Sequence, residues 1–112
     1  VWELRDGVVE RFHIHPADYG HHHENLEGLI VDDAQQSADL IRAALGNKPP
    51  AAAQKARSMI ALNAGAAIYA SGVTGSLRDG ISLADDVITT GQALEKLEEF
   101  VTFTRGLKEQ AL

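Results

Sequence analysis

Cysteine is missing from all 112 residues. Disulfides and thiolate metal sites are therefore excluded, and the composition suits a reducing cytoplasm. Aromatic side chains are scarce, with one Trp, two Tyr and three Phe, so any core must be built from aliphatic residues and alanine. Basic charge is short as well: 10 Lys and Arg stand against 16 Asp and Glu, a formal net charge of −6. That balance excludes the electrostatic footprint of a nucleic-acid binder and a basic patch for anionic lipid. No apolar run approaches the roughly 18–20 residues of a membrane span. An initiator Met is absent too. The chain opens on Val1-Trp2-Glu3-Leu4, already in a strand pattern, and the expectation is a piece of a longer protein whose N-terminal part precedes Val1.

What is present suffices for one domain. Residues 1–15 read as a β-hairpin. Asp6-Gly7 is the two-residue turn signal, because a type I′ turn needs positive φ at both central positions. That turn sets Leu4 opposite Val9 and Trp2 opposite Arg11, and pairs Glu3 with Glu10, an unfavourable contact that Arg5 on the same face offsets. His13 and His15 share one face of the second strand, which Pro16 ends because it has no N–H to donate. Residues 16–31 read as a loop punctuated by Gly20 and Gly28, with Leu29-Ile30-Val31 a short extended piece against the core.

Helices are expected over 33–105. Asp33 and Gln36 form a capping-box pattern, followed by Ala34, Ala38, Ile41 and Leu45 on one face, with Gly46 at the left-handed C′ position. A second helix spans 51–70, its stripe formed by Ala56, Met59, Ile60, Ala64, Ala67 and Ile68. Its breadth predicts cover on more than one side, and its alanines and Gly65 allow close helix approach. Asn63 in that stripe is expected to be buried and to pin a neighbouring segment. Ser76 caps a third helix, with Asp79 at the box position and Leu77, Ile81, Ala84 and Ile88 facing inward. Gly91 closes it. A last helix covers 92–105 with Leu94, Leu97, Phe100 and Val101 inside, and the tail beyond is expected to be exposed or frayed.

Chemistry is thin. The stretch HIHPADYGHHHE, residues 13–24, holds all five histidines, but zinc needs three or four converging ligands, usually with a fixed local pair, and a Gly-flanked loop places the third poorly. Neither HExxH nor GxSxG occurs. Asp33 of the Asp32-Asp33 pair is better explained as a cap, and Asp85-Asp86 is expected near the solvent side of its helix. Gly72, Gly75 and Gly80 lack the Lys-Ser/Thr ending of a phosphate loop. Arg5, Arg57 and Arg78 could each meet an anion, yet no spacing singles one out. The expectation is no catalytic, cofactor-binding or metal residue here, and a solvated loop at His21–His23.

The order of landmarks carries a resemblance. VWELRDGVVERFHIHPADYG, LNAGAAIYASG and ISLADDVITTGQALEKLEEFV together resemble the C-terminal third of the anthranilate phosphoribosyltransferase family, across nearly the whole chain. His21–His23 and Tyr19 depart from the family's usual Phe-Gly-Leu pattern there. The resemblance implies an α/β parent fold of the nucleoside phosphorylase/phosphoribosyltransferase type, with residues 1–112 the C-terminal part of its large catalytic domain. It implies transfer of phosphoribosyl from phosphoribosyl pyrophosphate to anthranilate in tryptophan biosynthesis, with Mg²⁺ bound outside this segment, a homodimer and a cytoplasmic location. The family's GTGGD-type loop, KHGN segment, anthranilate-contacting arginine and acidic pair are not in this chain. A segment without them is expected to be inactive alone and to associate through apolar faces the remainder would cover. Two alternatives stand beside this: a nucleoside phosphorylase-like relative, and a separate acidic metal-binding or interaction module using the histidine loop.

Overall fold

The computed structural model describes residues 1–111. A two-stranded antiparallel sheet, β1 (Trp2–Arg5) and β2 (Val8–Arg11), is followed by a 3-10 turn at Pro16–Tyr19 and four helices: α1 (Ala34–Leu45), α2 (Ala51–Ala70), α3 (Leu77–Thr89) and α4 (Gln92–Ala111). Asp6 and Gly7 take φ of 51° and 78°, the I′ signature, and Leu4 faces Val9 while Glu3 faces Glu10. Arg5 Nη2 donates to Glu3 Oε1 at 3.3 Å, which relieves the like-charge pair as expected. The hairpin is shorter than its pattern suggests. One further pair of bonds joins Phe12 and Val1, and His13–His15 lie outside the ladder. Pro16 therefore ends no strand. It opens the 3-10 turn instead, where its fixed φ fits and its missing N–H costs nothing.

The helical layer is centred on α2, which packs most extensively on α3 and also on α1; α4 reaches α3 and α1. Its core is small and aliphatic: Ala44, Leu45, Ala53, Ala56, Ala61, Ile81, Ala84 and Ile88 are buried. The α2–α3 contact is close because glycine sits on both sides. A Cβ at Gly65 would lie 2.5 Å from Cα and Cγ1 of Ile81, and a Cβ at Gly80 would run into the Gly65 carbonyl. The small residues mark the most deeply buried side of α2, and from the expected stripe Ala56 joins them in the core while Ile60, Ala64 and Ile68 pack partly buried against it. Met59 and Ala67 are correspondingly exposed. Asn63 is exposed as well, its Nδ2 donating to the Met59 carbonyl at 2.8 Å, and it pins no neighbour.

Both caps form as their sequences predict. Gln36 N donates to Asp33 Oδ1 at 2.8 Å, and Asp79 N to Ser76 Oγ at 3.0 Å. Asp33→Ala is expected to lower stability by about 1 kcal/mol, read as a lower urea midpoint at unchanged slope. At the other end of α1, Gly46 has φ −87°, and Asn47 takes the left-handed position at φ 53°. Its side chain accounts for the exchange: Nδ2 donates to the Ile88 carbonyl at 3.0 Å and Oδ1 accepts from Arg57 Nε at 2.9 Å.

Ile30 is 91% exposed, so the 29–31 run is not tucked in whole. Ala34 and Ile41 are exposed too, and α1 buries only Ala44 and Leu45. Leu94 and Leu97 dock α4 on the core, and Arg42 Nε donates to Glu98 Oε1 at 2.7 Å, a bond that holds the guanidinium above its ordinary pKa. The helix continues through Gly106 to Ala111, because the residues after that glycine are strong helix formers; Leu112 lies outside the described residues. Phe100 is 62% exposed, since α4 has left the core by then. Among the described residues no helix is long and apolar enough to cross a membrane.

Candidate functional site

The histidine segment is where polar side chains converge. Gly20 at φ 79° turns the chain after the 3-10 turn, and the His21 amide donates back to the Pro16 carbonyl at 3.0 Å. Arg78 of α3 braces that turn, its guanidinium 4.8 Å from the Tyr19 ring centroid and its Nη1 donating to the Asp18 carbonyl at 2.9 Å. The reversal sends His21 inward until it is only 6% exposed, which corrects the expectation of a solvated loop at that residue. His22 and His23 remain exposed.

Both ring nitrogens of His21 are engaged. Nδ1 lies 2.9 Å from Ser58 Oγ on α2, and Nε2 lies 2.8 Å from Asp85 Oδ2 on α3. Ser58 Oγ also lies 2.8 Å from His23 Nε2. Arg57 Nη1 pairs with Asp85 Oδ1 at 3.1 Å, and Arg57 Nη2 donates to Thr89 Oγ1 at 3.1 Å. A carboxylate only accepts, so Nε2 of His21 carries the proton toward Asp85. With a neutral ring, Nδ1 then accepts the Ser58 hydroxyl hydrogen, and Ser58 accepts in turn from His23. Every bond in the string His23–Ser58–His21–Asp85 is satisfied by neutral imidazoles.

Serine, histidine and aspartate in series have the residue types of a nucleophilic triad. Ser58, however, lies in the middle of a 20-residue helix, where neighbouring backbone N–H groups are spent on intrahelical bonds. That leaves the helix backbone no free N–H groups for an oxyanion hole beside the hydroxyl, and acyl transfer needs such donors. What the string does is fasten the loop to α2 and α3 at once. Nor do the histidines gather as ligands: among the described residues no three His, Cys, Asp or Glu side chains come together as a group able to hold a metal ion. His13 and His15 lie past the strand end and do not share a strand face.

Asp85 corrects the expectation of a solvent-side pair. It lies four residues after Ile81 and three before Ile88, on the flank of the inner face, while Asp86 is exposed. Ser58 went unread for a similar reason, although it lies three residues before Ala61 and seven before Gly65 on the small-residue side of α2. A polar residue in register with buried positions was the available signal in both cases. Lys55, one turn earlier, donates to Asn25 Oδ1 at 2.6 Å and to the Glu27 carbonyl at 3.1 Å. Between the loop and α2 lies a cavity of about 360 Å³.

Residues 1–94 match the family described as "Glycosyl transferase family, a/b domain". The chain is also similar to three named proteins. It is 49% identical over 110 residues to the anthranilate phosphoribosyltransferase of Ectopseudomonas mendocina, covering 98% of this chain and 32% of that protein. It is 47% identical over 104 residues to that of Teredinibacter turnerae, covering 93% and 30%. It is 47% identical over 111 residues to that of Acinetobacter baylyi, covering 99% and 32%. The chain thus spans about a third of the length of the curated relatives it matches.

Proposed function

The chain belongs to the glycosyl transferase family, a/b domain, and from that premise we propose that it is the C-terminal segment of the large α/β domain of an enzyme transferring phosphoribosyl from phosphoribosyl pyrophosphate to anthranilate, in tryptophan biosynthesis. The observation that carries the proposal is identity of 47–49% over 93–99% of this chain to relatives bearing that one name. It favours this reading over a nucleoside phosphorylase-like relative.

The segment's role in such an enzyme is scaffolding. Phosphoribosyl transfer needs pyrophosphate held by backbone amides and metal, and donors aimed at developing charge. The convergent polar groups here are turned on one another: His21 on Ser58 and Asp85, Arg57 on Asp85 and Thr89. Octahedral Mg²⁺ takes hard oxygen ligands, typically carboxylates, and the described residues bring no three acidic or imidazole side chains into one group. We assign the ion to the remainder of the enzyme. The same remainder supplies both substrate sites and the homodimer contacts, and the enzyme works in the cytoplasm.

The test is direct. The 112-residue chain, given both substrates and Mg²⁺, is expected to form no phosphoribosyl anthranilate above the uncatalysed background, followed by loss of anthranilate fluorescence. Turnover that tracks the concentration of the chain would sink the scaffold reading.

A further inference from the structure

The cavity between the histidine loop and α2 is used by nothing described above. At about 360 Å³ it lies within the ordinary range for small-molecule sites, roughly 300–1,000 Å³. Its lining carries charge of one sign only. His22, His23 and Lys55 line it together with Leu26, Met59 and Leu62, and no Asp or Glu does. In a chain with 16 acidic residues and a net charge of −6, that is a local reversal of the protein's overall charge. The Lys55 ammonium is held by a side-chain amide oxygen and a backbone carbonyl, and forms no ion pair among the described residues. Two of its three protons are thereby engaged, leaving one donor and an unneutralised charge. His23 is held at the wall by its bond to Ser58, so its place there is set by α2 and not by the mobility of a side chain.

We propose that this cavity binds a small organic anion, a carboxylate or phosphate monoester whose apolar body rests on Leu26, Met59 and Leu62 while its charged end meets Lys55 and His22. An unpaired ammonium beside an apolar floor, with no competing carboxylate, favours that chemistry over a cation or a neutral solute. The inference does not depend on the enzyme assignment above, because it concerns only residues present in this chain.

Benzoate and phenyl phosphate are the probes, with benzyl alcohol and benzylamine as neutral and cationic counterparts, each titrated into the ¹⁵N-labelled chain. One or both anions are expected to saturate, with amide shifts concentrated at residues 15–26 and 55–62; which of them binds more tightly separates the carboxylate from the phosphate. Lys55→Gln is expected to weaken that binding about tenfold, equal to about 1.4 kcal/mol. His22→Gln, at an exposed position that does not threaten folding, is expected to weaken it in the same direction. Circular dichroism checks that each variant is folded. The proposal is overturned if neither anion saturates, if the alcohol or the amine binds as tightly as benzoate, or if folded variants at both positions bind the anion as the parent does.

Discussion

Gly65→Ala is expected to lower stability by about 2–3 kcal/mol, although alanine is the better helix former. Intrinsic propensity alone would favour the change by about 1 kcal/mol. Packing opposes it more strongly. The new methyl carbon would sit 2.5 Å from Ile81 Cα and 2.6 Å from Ile81 N. Both are backbone atoms, which cannot rotate aside, so α2 and α3 must separate. Separation also uncovers Ile81, a fully buried side chain at the centre of the layer. Overpacking of this kind costs about 1–3 kcal/mol, and occasionally more. Gly106→Ala is the matched control. That glycine lies in α4 with no atom within 4 Å of an added Cβ, so the same substitution is expected to be stabilising by about 0.4–1 kcal/mol. Urea midpoints of the two variants should move in opposite directions. A Gly65→Ala midpoint at or above that of the parent would show that the helices tolerate wider spacing.

His21→Ala is the second large effect, expected at about 2–3 kcal/mol. The substitution removes a buried ring bonded at both nitrogens, and leaves Ser58 and Asp85 each short of a partner. A buried polar group stripped of its partner costs about 1–3 kcal/mol. Arg57 still faces Asp85, so the carboxylate is not left alone, which keeps the loss below that of an isolated buried charge. The double-mutant cycle with Asp85→Ala distinguishes a bonded pair from simple loss of bulk. A coupling of about 1 kcal/mol or more is expected, and additive losses would show that the two side chains act independently. His22→Ala, at the exposed neighbour, is expected to change stability by less than about 0.5 kcal/mol.

These two sites were not equally legible. The helix layer could be read well: both capping motifs, the Asp6-Gly7 turn, the hairpin register and the inner face of α3 follow from local chemistry acting within a few residues. The buried side of α2 was harder, because Ala53, Ala56, Ala61 and Gly65 were chosen by how near another backbone comes. A hydrophobic stripe reports burial of large side chains and says little about that distance. The left-handed turn after α1 passed from Gly46 to Asn47 for a tertiary reason, since Asn47 alone can bond both Ile88 and Arg57. The polar string was least legible of all. Ser58 and Asp85 lie 37 and 64 residues from His21 in sequence, and nothing local marks the three as neighbours. Three consecutive histidines look alike on paper, and only the turn at Gly20 decides which one is enclosed.

The hairpin has a consequence for how this chain behaves by itself. Among the described residues its two strands pair only with each other, and its links to the helices include the Tyr69 hydroxyl on Glu3 and the Arg5 guanidinium 5.6 Å from the Tyr69 ring centroid. Each strand therefore presents an outer row of unpaired N–H and C=O groups, with Trp2 71% and Leu4 72% exposed alongside. A ribbon with both edges open is a template for further strands. In a larger sheet those edges are points of insertion. In solution, where nothing occupies them, the same rows of donors and acceptors invite another hairpin to add on, and adhesion is the ordinary behaviour of an unfinished sheet.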